Sequence, residues 1–192
     1  MNTKAIILNA LKRGREKKEK EIGLKITDPN YNLSSGHIKK ADHNLIVMTD
    51  LSELNHEDWV VIASYYAMYQ ASLSILSKIG LISKEHATTV AVLEYFFGEK
   101  IGKELLEQFD SLKDEKDKLE TITIQEKFIN YLWSTKQARE NVQYGVNISY
   151  KETEKIMSNA REFVNKIKLV LDELEEDILE GILEEINKLE KA

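Results

Sequence analysis

The chain has 192 residues, of which 42% are hydrophobic and 31% charged, with a formal net charge of −6 and no cysteine. That length allows one domain whose core needs no disulfide or metal staple, and the absence of thiols excludes a disulfide framework and a thiolate metal centre. The negative balance excludes a polyanion-binding surface spread over the whole molecule, so any nucleic-acid contact has to come from a local patch.

One proline and eight glycines are too few for the turns of a sandwich or barrel. The expected fold is therefore all-α, an antiparallel helical bundle with N- and C-terminal helical extensions. No apolar run reaches the length of a bilayer crossing and the first residues lack a signal-like apolar core, so the expectation is a cytoplasmic protein without membrane contact.

In chain order, Ala5, Ile6, Leu8, Ala10 and Leu11 open a helix over residues 3–22 that ends in the charged run GREKKEKE. Residues 23–34, with Asp28-Pro29-Asn30, read as a loop. Ser34 or Ser35 can cap a second helix running to about Met48. Asn55, followed by Glu57 and Asp58, suits the start of a third helix, which Gly80 stops after Lys78. Ser83 caps a fourth helix ending at Gly98. A fifth spans about Ile101 to Leu119 and includes the solvated run KDEKDK. The capping box Thr123-Ile124-Gln125-Glu126 opens a sixth, ended by Gly145.

A second box, Ser149-Tyr150-Lys151-Glu152, opens a helical stretch that reaches Leu189. At about 40 residues it would be roughly 60 Å long, so it either breaks near Asp177–Gly181 or projects onto a partner. Its seam of Leu171, Leu174, Ile178, Ile182, Ile186 and Leu189 packs on the chain's own first helix or forms a dimer seam. The organisation expected is an extension over 1–34, a bundle over 35–171 and a C-terminal extension over 172–192.

The sixth helix carries an anomaly. At 100° per residue, Leu132, Thr135 and Val142 fall within about 40° of the direction of Phe128, and Arg139 lies about 20° from it. A guanidinium on an apolar stripe faces a carboxylate, a subunit interface or a ligand groove, or it snorkels to water at the bundle end. The four histidines, His37, His43, His56 and His86, include no pair at the spacing of a helical zinc site, so neither metal nor cofactor is expected. Tyr65, Tyr66 and Tyr69, interleaved with Ala63, Ala67 and Ala71, are core-packing residues or a platform for stacked bases. Lys12, Arg13, Arg15, Lys17, Lys18, Lys20 and Lys25 make a basic cluster. With Glu16, Glu19 and Glu21 between them they read as a solvated face or as an RNA-contacting edge.

Taken together, Trp59–Phe97, the segment Lys40–Leu45 and the ARxxxxY run from Ala138-Arg139 to Tyr144 resemble the HEPN family of small helical bundles, many of which are ribonucleases. The resemblance implies a homodimer with helices three and six near the two-fold axis and Arg139 in or beside the cleft between protomers. HEPN ribonucleases carry Arg-x(4–6)-His, and the histidine window here holds Tyr144, Gly145 and Val146. Tyrosine, with a reference pKa near ~10, is only about 0.1% phenolate at pH 7, which forfeits roughly what general-base catalysis supplies.

The branch that the chain most resembles keeps an arginine and a tyrosine and lacks the full motif. The resemblance thus implies a module that binds RNA, a nucleotide or a protein partner, with little or no catalysis. Arg139, Asn141, Tyr144, Lys17 and Lys18 are the expected binding residues. The alternative is a metal-independent RNA endonuclease, the toxin of a toxin–antitoxin pair with a nucleotidyltransferase, in which Arg139 holds the phosphate and Tyr144 or His86 moves the proton.

Overall fold

The computed structural model describes the backbone of residues 3–16, 23–132 and 150–191, and their side chains apart from those of residues 16, 121–132, 150 and 151. Among the described residues the elements run α1 (Thr3–Glu16), β1 (Leu24–Ile26), α2 (Tyr31–Glu53), α3 (Glu57–Lys78), β2 (Leu81–Ser83), α4 (His86–Ile101), α5 (Lys103–Leu132), α6 (Tyr150–Glu173) and α7 (Glu176–Lys191). The all-α expectation is met: the only sheet among them is a two-stranded antiparallel ribbon pairing Leu24 with Ser83 and Ile26 with Leu81.

α3 is the hub, packed on α2 along most of its length and on α5 and α6 elsewhere. Its small residues explain this. Ala67 and Ala71 are fully buried and let neighbouring backbones approach closely. Ser64, Ser72 and Ser77 are buried too, and each hydroxyl donates to the carbonyl four residues back, so none is left unsatisfied. α3 is long and apolar enough to cross a bilayer by composition, but 78% of that window is buried inside the bundle, as in a core helix. Around it Met48, Met68, Ile75, Leu93, Phe109, Phe163 and Ile167 close a single core.

Several helix ends differ from the sequence expectation, each for a local reason. Asn30, not Ser34 or Ser35, caps α2: its side chain accepts from Leu33 N at 2.9 Å. Ser34 is instead buried one turn inside. Asn55 sits at φ 58°, in the turn before α3 rather than at its cap. Ser83 belongs to β2, where its hydroxyl accepts from Glu85 N, and Glu85 is the residue that starts α4. Gly98 lies inside α4, which ends at Gly102 in a left-handed conformation (φ 97°).

The break expected at 119–123 is absent, since α5 runs through it. The charged run supplies the reason: Lys113–Asp117 and Lys116–Glu120 pair at i,i+4 and support the helix. The long C-terminal stretch does break, at Leu174–Glu175 rather than at Asp177–Gly181, and Gly181 is an interior residue of α7.

The terminal helices lie on one side of the molecule. Arg15 donates to the Glu190 carbonyl at 2.8 Å, and Tyr95 of α4 donates to Glu185 at 2.8 Å. Leu179, Ile186 and Leu189 are buried on this side. α1 approaches β1 so closely that a Cβ on Gly14 would lie 2.2 Å from the Leu24 carbonyl oxygen. Glu85 fastens this corner, accepting from Arg13 at 2.6 Å, Thr88 at 2.8 Å and Gly23 N at 3.2 Å. Burial opposes its charge, but these donors outweigh it and hold the carboxyl below its ordinary range.

Candidate functional site

The polar chemistry of the described residues concentrates where α3, the start of α4 and the middle of α5 meet. α4 opens there because the ribbon turns the chain back at Ser83 and Glu85 begins the helix. This sets His86 in the first turn, pointing inward and only 7% exposed. Its ring packs edge-on against Phe109, 4.6 Å between centroids, and against Tyr65 at 5.6 Å. Nδ1 is 3.3 Å from the Tyr65 hydroxyl. Nε2 is 3.2 Å from Asp110 Oδ1, an ion-pair distance without hydrogen-bond alignment. Burial pushes the imidazole below its usual range, against the opposing pull of Asp110. A neutral ring at pH 7 follows.

Lys116 lies on the same side of α5, 8% exposed. Its ammonium sits 5.1 Å above the Tyr65 ring and 5.6 Å above the Tyr66 ring. It pairs with Asp117 at 2.7 Å and Glu120 at 3.0 Å. Burial works against its charge, and the two carboxylate hydrogen bonds outweigh burial and keep it protonated. Tyr66 donates to Glu120 at 3.1 Å, and Tyr69 stacks on Tyr65 at 5.8 Å. Desolvation raises all three tyrosine hydroxyls, so they remain neutral donors.

The tyrosines therefore divide. Tyr65 is a core residue, whereas Tyr66 is 36% exposed, and Trp59, seven residues earlier on the same face of α3, is 48% exposed. Tyr66 lies beside the Lys116 ammonium, and accessible aromatic side chains such as Tyr66 and Trp59 can stack bases.

Of the sequence candidates, only His86 falls among residues with a described environment. Arg139, Asn141, Tyr144, Lys17 and Lys18 lie outside the described residues. Among the described residues, no group of three His, Asp or Glu could hold a metal ion. Sequence reasoning missed Lys116, filed within a solvated charge run. The signal was available: Leu105, Phe109, Leu112, Lys116 and Leu119 share one apolar stripe at spacings of three and four.

The HEPN domain model matches residues 34–174. The chain belongs to the HEPN family. Among curated proteins, no sequence matches at a level that marks a relative. The family match spans α2 to the end of α6 and leaves α1, the β1 strand and α7 outside it. The His86–Tyr65–Lys116 cluster lies within the matched part.

Proposed function

We propose that this HEPN chain is a binding module for RNA or a nucleotide, with Arg139 as its central cation in a groove shared by two protomers and with little or no cleavage. The observation that carries the reading is the environment of His86. A proton shuttle needs an imidazole that reaches the substrate and titrates near the working pH. His86 is walled in by Phe109 and Tyr65, and burial holds it neutral. It serves as a packing residue that fixes the start of α4 on α5. In the motif window Tyr144 stands where a nuclease carries histidine, and its phenol serves as a donor to phosphate rather than as a base.

Binding then rests on Arg139, Asn141 and Tyr144, with Trp59 and Tyr66 as stacking surfaces and Lys17 and Lys18 as backbone contacts. The test pairs a binding and a cleavage measurement on labelled single-stranded RNA. The expected result is salt-dependent binding that weakens at least tenfold in Arg139→Ala, with intact RNA throughout. Cleavage by the wild type that is abolished in Arg139→Ala would replace this reading with that of a metal-independent endonuclease. Binding unchanged in Arg139→Ala would remove the arginine from the site.

A further inference from the structure

A cavity of about 490 Å3 opens at one end of the bundle, where the start of α2 meets the ends of α3 and α6. The three ends are tied together there. The Asn30 N–H donates to the Ser77 carbonyl at 2.8 Å, the Lys78 ammonium donates to the Leu171 carbonyl, and Lys168 pairs with Asp42 at 2.6 Å. The chain on either side of each end is described, over residues 26–31, 78–81 and 173–176. The α6 residues that line the cavity lie about 30 Å along that helix from Tyr150. The volume falls within the ~300–1,000 Å3 of small-molecule sites.

Three features of the cavity are left over from the bundle's own bonding. Ser34 lines it and is only 6% exposed, yet its hydroxyl makes no hydrogen bond among the described residues. That hydroxyl is not sealed in, since the fully enclosed side-chain atoms without a partner lie elsewhere; it opens to the cavity. Lys78 is half-buried and, among the described residues, enters no ion pair. Its ammonium has three donors, of which the Leu171 carbonyl takes one. Finally, α2 has no acidic residue in its first turn, so the positive end of its dipole is capped only by the neutral Asn30 side chain.

A buried hydroxyl, an ammonium without a carboxylate and a helix N-terminus all favour a negative group. The charge count decides which one. Lys168 and Asp42 neutralise each other and Asp172 is exposed to water, which leaves one half-buried positive charge, that of Lys78. A carboxylate matches it. A phosphate monoester, carrying about −1.5 to −2 at pH 7, meets repulsion from Asp42 and Asp172. Beside the polar groups, Ile38 and Leu171 are half-buried and the Tyr31 ring is 57% exposed. These surfaces suit an apolar body of ring size, with the tyrosine face as its platform. We propose that the cavity binds a small organic monocarboxylate with such a body, its carboxylate held by Lys78 and Ser34 at the start of α2. The site needs nothing from Arg139.

The test is an NMR titration of the isotope-labelled full chain with phenylacetate as the probe. Phenylethanol, its uncharged counterpart, and phenyl phosphate are the comparison compounds. Phenylacetate, taken to about 20 mM because a probe of this size binds weakly, is expected to shift the amide resonances of Tyr31, Asn32, Ser34 and Ser35 saturably. Phenyl phosphate is expected to bind more weakly, and phenylethanol to leave these amides in place. Lys78→Gln is expected to weaken phenylacetate at least about tenfold, through loss of a charge-assisted hydrogen bond, and Ser34→Ala about threefold. Glutamine still donates to the Leu171 carbonyl, so the helix ends stay joined, which circular dichroism checks. No shift at the start of α2, an equal response to phenylethanol, or phenylacetate binding unchanged in Lys78→Gln would overturn the proposal. Tighter binding of phenyl phosphate than of phenylacetate would overturn the choice of a carboxylate.

Discussion

Lys116 and Lys118 stand two residues apart on α5 and meet opposite fates. Lys116 lies on the helix's inner stripe, over two tyrosine rings and between two carboxylates. Lys118 is exposed, at a cleft between α5 and α6, and enters no ion pair among the described residues. The two flanks of one helix thus separate a charge used to build the bundle from a charge that water solvates. Composition and local sequence treat the two alike. The difference comes from the 200° that two residues turn about the helix axis, which carries one side chain into the bundle and the other out to solvent.

The severest way to break this comparison is to empty the inner flank. Phe109 is fully buried and touches His86, Tyr65 and Phe163. Phe109→Ala is expected to cost about 3–5 kcal/mol in urea unfolding, the range for a large core side chain cut to alanine. A loss below about 1 kcal/mol would mean that the inner flank is not core. Next, Lys116→Ala is expected to cost about 1–2 kcal/mol, from lost stem packing and from leaving Asp117 and Glu120 without their shared cation. Lys118→Ala is expected to stay within about 0.5 kcal/mol, as surface substitutions do. Equal effects at the two lysines would erase the distinction drawn between the flanks.

Glu85 supplies a further contrast, at the corner where α1 meets α4. Glu85→Gln keeps the shape and removes the charge that Arg13 pairs with, and a cost of about 1 kcal/mol is expected. Its signature is faster hydrogen exchange in α1, with α3 and α5 unchanged. Uniform acceleration across the bundle would argue against a local latch.

The smallest effect is a pH dependence. Burial lowers the His86 pKa relative to the ~6.5 of an unfolded chain. Just below that pH the unfolded state binds more protons, so stability is complete above about pH 6.5 and declines as the pH falls through the window beneath it. Asp110 softens the slope by favouring the imidazolium, while Lys113 steepens it. His86→Gln is expected to flatten the profile between pH 7 and pH 5. An unaltered slope would assign it to other groups.

Legibility followed the range of the interactions. The scarcity of turn residues and the apolar periodicities announced helices, and the order of Trp59–Phe97 and the ARxxxxY run announced the family. The ends of elements were harder, because Asn30, Ser34 and Ser35 all have capping side chains and only packing on α3 decides that Ser34 goes inside. Three-residue strands such as Leu24–Ile26 leave no periodic trace and form only because Gly14 lets the chain close onto α1. His86 was visible as a candidate, but whether it reached solvent or stayed sealed was a matter of where Tyr65 and Phe109 arrived from other helices.

By itself the sequence determined an all-α chain of the HEPN family with no histidine after His86, since composition, period and motif order are properties of neighbours along the chain. Only the tertiary structure decided that α5 continues through its charged run, that Lys116 is neutralised inside while Lys118 is not, and that α5 and α6 leave a cleft between them. Burial and pairing depend on residues brought together from distant positions, and their energies exist only once those residues meet.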